Sequence, residues 1–307
     1  MKEKLKAITY GHAIGDALGV PVEFSLRADL KSAPVKDMIG YGQYRVPKGT
    51  WSDDTSMALC TMDGLREGKT YHYIMENFKK WLYKGEFTPY GHCFDVGGTC
   101  RQAITNYAIN GNYRECGLDD FFANGNGSLM RIYPVSLYVL RHNDLEDRIR
   151  EIHNISRLTH SHEISLIGCG IYSFVLWELL ENPKKSSIKK GIQKAFNYYK
   201  NYPFIEEYRR LIEIEWYKEE HINSTGFVVD TLEASLWCLL NTDNFEDCVL
   251  RAVNLGGDTD TIGAITGSLA GALYGYENIP KKWIKSLKNK DLIEEISNKF
   301  WEEAIDG

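Results

Sequence analysis

Proline is scarce in this 307-residue chain, at 8 residues, and no Gly/Ser/Pro-rich stretch interrupts it, so nothing marks a linker or a domain boundary. There is no C-x-x-C pair. The seven cysteines (Cys60, Cys93, Cys100, Cys116, Cys169, Cys238 and Cys248) are odd in number and scattered, which argues against a disulfide framework and for buried, reduced thiols. Positive charge is short as well: 36 Lys+Arg against 42 Asp+Glu leave a net charge of -6. Sequence-independent binding to phosphate backbones needs a basic face, so nucleic acid is a poor partner. No apolar run approaches the roughly 20 residues that span a bilayer, and the N-terminus lacks an apolar signal core with a cleavage site; the cytoplasm is the expected location.

Strand-like alternation is almost absent, as is any short repeat of the solenoid kind. The chain instead carries 43% hydrophobic residues, enough for a packed core, and they recur at helical steps. Ile164, Ile167, Ile171, Phe174, Val175 and Leu179 are one example. This periodicity predicts helices near 3–19, 54–66, 71–83, 98–109, 127–140, 145–157, 163–181, 187–199, 205–218, 230–240, 244–254, 259–275 and 290–305. The expectation is an all-α protein with one domain over 1–307. The segment 31–56, with Gly40, Gly42, Pro47 and Gly49, reads as an ordered loop leading into a helix.

Two acidic clusters stand at predicted helix starts. Ser52, Asp53, Asp54 and Thr55 precede the apolar stretch from Met57; about 200 residues later Asp258, Thr259, Asp260 and Thr261 follow Gly256 and Gly257. Helix capping is the plain reading of each. One side chain suffices for a cap, though, and four carboxylates with adjacent hydroxyls make a hard-oxygen ligand set suited to Mg, Mn or Ca and large enough for two ions. Without a cation, like charges this dense would repel and drive their pKa values up.

The helix after Asp260 carries Gly263, Gly267, Gly271 and Gly275 at four-residue intervals, one smooth ridge on one face. Each glycine costs roughly 1 kcal/mol against alanine in a helix, so close packing must compensate. Gly11, Gly15 and Gly19 form a matching ridge. Packing the two together would bring Asp16 or Glu23 near the acidic clusters.

The segments GHAIGDALGVPVEF, GTWSDDTSMALC, FDVGGTCRQAI, GNGSLMR, LTHSHE, TGFVVDTLEASLWCLL and GGDTDTIGAITGSLAGALYG, in this order over roughly residues 8–276, resemble the ADP-ribosylglycohydrolase family. That family includes the dinitrogenase reductase-activating glycohydrolase and the crystallin J1 relatives. The resemblance implies an all-α orthogonal helical bundle with two Mg2+ or Mn2+ ions, here followed by a C-terminal helical tail, 277–307. By the same resemblance the metal ligands are Ser52, Asp53 and Asp54 with Asp258, Asp260 and Thr261, and Glu23 lies close to them. Asp95 matches an aspartate beside the reacting ribose, although its competing reading is a turn or cap residue. The usual pattern there is D-I-G-N-T-T-R, and Gly98 and Cys100 depart from it. Gly125, Asn126, Gly127 and Ser128 resemble a phosphate-cradling loop before a helix, which would aim backbone N–H groups at a diphosphate. His160 matches a histidine near the nucleotide, Phe227 an aromatic that stacks on adenine, and His162 reads as a cap or exposed residue.

The activity so implied is hydrolysis at the anomeric carbon of the ribose next to the acceptor, with positive charge developing on the sugar. Asp54 and Asp258 are the candidates for proton transfer, with Asp95 or Glu23 as alternatives. The partner would be an ADP-ribosylated protein or small molecule, with arginine as the leading acceptor and serine or ester linkages as alternatives. Two competing readings are a non-catalytic ADP-ribose-binding protein, suggested by Gly98 and Cys100, and a structural protein that retains the fold.

Overall fold

A computed structural model describes residues 1–66 and 71–306. Its helices are α1 (Lys2–Gly19), α2 (Arg27–Ser32), α3 (Asp53–Gly64), α4 (Tyr71–Lys84), α5 (Gly98–Asn110), α6 (Tyr133–Tyr138) and α7 (Leu145–Ser156). They continue as α8 (Glu163–Glu181), α9 (Lys185–Tyr199), α10 (Val228–Leu240), α11 (Phe245–Asn254), α12 (Thr259–Tyr274), α13 (Lys281–Ser286) and α14 (Lys290–Phe300). Among the described residues the β pairing is limited to isolated bridges, Tyr41 with Val46, Leu118 with His160, and Gly125 with Phe227. The protein is all-α, as the periodicity implies.

Local chemistry explains where the helices start. Asp144 and Asn244 cap α7 and α11 by accepting from the backbone N–H of Glu146 and Asp247. His162 caps α8 by accepting from Ile164 N. Where the predicted helices break, a reason is visible. The stretch 127–140 divides into single 3-10 turns on either side of α6, with Pro134 in the first turn of α6, where its missing N–H costs nothing. The stretch 205–218 is a 3-10 segment, Pro203–Trp216, with Glu213 outside helical φ/ψ. The last predicted helix stops at Phe300 and ends in a π turn, Trp301–Ile305. The short helices α2 and α13, six residues each, have too few turns to show a period.

The centre of the bundle is the α1–α12 pair. A Cβ built on Gly11 would lie 2.2 Å from Gly267 O, on Gly15 1.9 Å from Gly263 O, on Gly271 2.2 Å from Ala7 O, and on Gly19 2.4 Å from Asp260 Cα. Partner numbers fall on one chain as they rise on the other, so the helices run antiparallel with backbones in direct contact. Gly275 does not belong to this ridge; its φ of +82° ends α12, and nothing lies within 4 Å of where its Cβ would be. Around this pair α11, α10, α8 and α3 supply the remaining core contacts.

By length and composition alone α8, Glu163–Glu181, could cross a membrane, which corrects the expectation from apolar runs. In the fold 89% of its apolar window is buried, against α7, α9, α10 and α12. The cysteines are free thiols, all buried except the half-buried Cys93.

Candidate active site

The α1–α12 seam delivers the end of one helix to the start of the other. Thr259 Oγ1 donates to Gly19 O at 2.8 Å, and Asp16, near the end of α1, reaches across to α3. Its Oδ1 accepts from Ser52 N at 2.8 Å; its Oδ2 accepts from Thr55 N at 3.0 Å and Thr55 Oγ1 at 2.6 Å. Three helix ends thus meet at one carboxylate, and Asp16 is the residue that joins them. Ser52 caps α3 through Asp54 N and donates its hydroxyl to Asp54 Oδ2 at 3.0 Å. Capping is complete with Ser52, so Asp53 and Asp54 are not needed for it. Asp258 occupies the N-cap position of α12 but makes no capping bond; its Oδ2 accepts from Asn126 Nδ2 at 2.8 Å.

Several carboxylate oxygens have no partner although they are buried: Asp54 Oδ1, Asp258 Oδ1, Asp260 Oδ2 and Glu23 Oε2. Carboxylate oxygens of Asp16, Asp54 and Asp260 lie within 4.8 Å of one another, as do those of Glu23, Asp95 and Asp260. Burial, then the charge of the neighbouring acids, pushes Asp53, Asp54 and Asp260 well above the ordinary carboxylate range. Burial also raises Asp16 to about 7 and, with Asp95 beside it, Glu23 to about 9. Buried orphan oxygens and mutual repulsion are both relieved by hard cations, and the donor set is oxygen throughout, so these residues fit Mg2+ or Mn2+.

A turn at Gly256 and Gly257, both at positive φ, presents Asp258. It is held to the segment after α1 by Phe24 N to Gly257 O at 2.7 Å and Gly257 N to Ser25 O at 3.0 Å. Arg27 locks the same place: its guanidinium donates to the carbonyls of Leu255, Glu219 and Ile222 and to Ser224 Oγ, at 2.6 to 3.0 Å. Ser224 O in turn accepts from Asp258 N at 2.9 Å. Sequence reasoning missed Arg27, because its partners are mostly carbonyls on a loop about 200 residues away and no pattern encodes them.

A cleft of about 230 Å³ opens over this floor, with Glu23, Asp53, Asp95, Asp258 and Thr261 at its acidic end. Asp95 is no cap: the N-cap of α5 is Gly97, and Asp95 has a left-handed φ of +53°, a conformation that costs of order 1–3 kcal/mol and persists where surroundings enforce it. The hydroxyl of Tyr44, which the sequence reading did not single out, sits against Glu23 and Asp95. The opposite wall is nearly uncharged. It consists of the uncapped start of α5 (Gly97, Gly98, Thr99, Cys100), the glycine loop (Gly125, Asn126, Gly127), His160 and Gly226.

Two expected wall residues are placed elsewhere. Ser128 is fully buried, bonded to Ser156 Oγ at 2.9 Å and near Cys169 Sγ, because the chain turns inward into a 3-10 turn instead of opening a long helix. Phe227 bridges Gly125 through its backbone, while its half-buried ring packs on the core beside the wall. The Asn126 amide is committed to Asp258 and, at 2.9 Å, to Thr231 Oγ1. Ser52 also lies behind Asp54 and outside the cleft wall, because its hydroxyl serves the cap and that carboxylate. Gly98 and Cys100 both face the cleft, and the space beside Gly98 is open.

A bundle of this kind, with paired acids at the mouths of two helices facing a glycine loop, defines a class, and the family model for ADP-ribosylglycohydrolase matches residues 1–306: the chain belongs to that family. It is thereby an enzyme that hydrolyses ADP-ribosyl bonds. It is 35% identical to the ADP-ribosylarginine hydrolase Tri1 of Serratia proteamaculans (strain 568), over 97% of this chain and 79% of that one. It is 32% identical to the ADP-ribosyl-[dinitrogen reductase] glycohydrolase of Rhodospirillum rubrum, over 91% of this chain and 88% of the relative. A solved structure titled ADP-ribosylglycohydrolase-related protein complex superposes with a TM-score of 0.82 at 30% identity, covering 99% of this chain and 98% of the other.

Proposed function

We propose that this chain is a metal-dependent hydrolase that releases ADP-ribose from modified arginine side chains of protein, acting in the cytoplasm. The observation that carries the metal dependence is the set of buried, unpartnered oxygens on Asp54, Asp258, Asp260 and Glu23 converging at one end of the cleft. The arginine acceptor is supported by the Serratia proteamaculans relative, whose name specifies that linkage.

Asp53, Asp54, Asp258, Asp260 and Thr261 would hold the metals, with Ser52 and Asp16 fixing the start of α3. Two bound Mg2+ or Mn2+ ions would supply Lewis acidity to ribose hydroxyls and to a water. The protein contributes the rest. The acid end stabilises positive charge as it develops on the ribose. Asp54 and Asp258, each with one free oxygen, are placed to take a proton from the attacking water. Glu23 and Asp95, at the mouth with Tyr44, are placed to hold the departing group and return a proton to it. The diphosphate would lie along the opposite wall, where uncapped N–H groups of α5 and the loop at 125–127 replace water without adding cationic side chains.

The test is release of free ADP-ribose from arginine-, serine- and ester-linked substrates with Mg, with Mn and with EDTA. Metal-dependent release from the arginine linkage is expected. Release from the serine linkage alone would overturn the acceptor, and undiminished release in EDTA would overturn the metal dependence.

A further inference from the structure

Arg131 is fully buried with no carboxylate partner among the described residues, and its Nε and Nη1 bond to nothing. Such a charge is expensive to keep. Part of its support is the end of α7: Nη2 donates to Ile155 O at 3.1 Å, where a helix C-terminus favours a cation, and the guanidinium lies 4.8 Å from the Phe78 ring centroid. The same Nη2 also donates to Thr159 Oγ1 at 2.9 Å, and Thr159 Oγ1 is 2.8 Å from His160 Nδ1.

The direction of these bonds follows from donor counts. Arginine can only donate, so Thr159 Oγ1 accepts from it and keeps one hydroxyl proton to give. Among the described residues the acceptor for that proton is His160 Nδ1. Were Nδ1 itself protonated, the Thr159 hydroxyl proton would be buried with no acceptor. Nδ1 is therefore the bare nitrogen and Nε2 carries the proton. Nε2 borders the glycine loop: it would be 3.6 Å from a Cβ on Gly125 and 3.4 Å from one on Gly127, and His160 lines the cleft. Burial and the charge of Arg131 push the imidazole down to about 3, so it stays neutral and the tautomer is a defined state.

We infer that Arg131 and Thr159 are positioning residues that lock His160 as the Nε2–H tautomer, so that the cleft offers a neutral hydrogen-bond donor to an acceptor oxygen of the bound nucleotide. The inference rests on the reading of the cleft as an ADP-ribose site. It gives the buried arginine a task at the site, which it performs through a hydroxyl and never by touching the ligand.

The test uses the Mg-loaded full chain with 15N-labelled histidine. Long-range 1H–15N spectra, with His160 assigned through His160→Gln, report which ring nitrogen is protonated. A protonated Nε2 and bare Nδ1 are expected in the wild type; the reverse pattern, or an even mixture, overturns the relay and needs no variant. Thr159→Val keeps the bond from Arg131 to Ile155 but removes the hydroxyl. It should mix the tautomers and weaken free ADP-ribose binding about tenfold, as loss of one good hydrogen bond does, whereas Thr159→Ser restores both. A variant that loses only thermal stability while tautomer and affinity stay wild-type would make Arg131 a cap of α7 and sink the proposal. A locked Nε2–H tautomer in a wild type that binds no ADP-ribose would leave the relay standing and overturn its role toward the nucleotide, together with the functional reading.

Discussion

The two ends of the cleft are built on opposite plans. The acidic end is made of helix termini whose positions are set by backbone contact along the α1–α12 seam, and its side chains carry more buried charge than they can satisfy. The facing wall is made of loops and neutral groups, and its polar side chains are spent: Asn126 on Asp258 and Thr231, Ser128 on Ser156, His160 on Thr159. One end is under electrostatic stress until a cation arrives, whereas the other is finished before any ligand binds. Chemistry is expected from the unfinished end and recognition from the finished one.

Removing a carboxylate from the stressed end should have the largest effect. Asp258→Ala or Asp260→Ala is expected to lower turnover at least about a thousandfold with helical content unchanged by circular dichroism, since the metal site and its charge stabilisation go together. Full turnover in either variant would remove that residue from the site. Next comes the seam. Gly15→Ala puts a methyl 1.9 Å from Gly263 O, where backbone on both sides cannot yield, and should cost about 3 kcal/mol or more, read as a fall in Tm. An unchanged Tm would show that the seam can part.

The stress itself can be measured through pH. In metal-free protein Asp16 and Glu23 have folded pKa values of about 7 and about 9, above their ordinary values, so the folded state binds more protons than the unfolded state across that window. Stability is therefore greatest in acid and is lost as pH rises through the folded values. The Tm in EDTA should be higher at pH 6 than at pH 9, with saturating Mg flattening the slope. A metal-free protein that gains stability from pH 6 to pH 9 would contradict the electrostatic account. A smaller change is expected from Arg27→Ala, which frees the turn at 256–257 and should weaken Mn binding about tenfold with little loss of helix. The smallest is Gly98→Ala in the finished wall, where the space is open: Tm should stay level or rise by the equivalent of about 0.5 kcal/mol.

The same contrast governs what the sequence discloses. The acidic end was legible because its residues cluster in the chain: Asp53 and Asp54 adjoin, Asp258 and Asp260 nearly so, and the glycine spacing announces the close approach that joins them. Helices of three or more turns were legible for the same reason, since a period needs length to show. The wall was less so. Ser128 turns inward because a 3-10 turn follows it, which its GNGS context does not encode, and the tie from Asn126 to Asp258 depends on where α10 and α12 come to rest. Arg131 looked like the closing letter of a loop motif, and only its burial shows it as a charge without a counterion.

A seam with no side chains between two helices has no rotamers to exchange. Neighbouring layers can be redesigned, or can drift, while the separation between the end of α1 and the start of α12 stays a fixed gauge cut in peptide backbone. For anyone transplanting this centre into another scaffold, the portable part is therefore the antiparallel helix pair with its glycines, and the carboxylates travel with it.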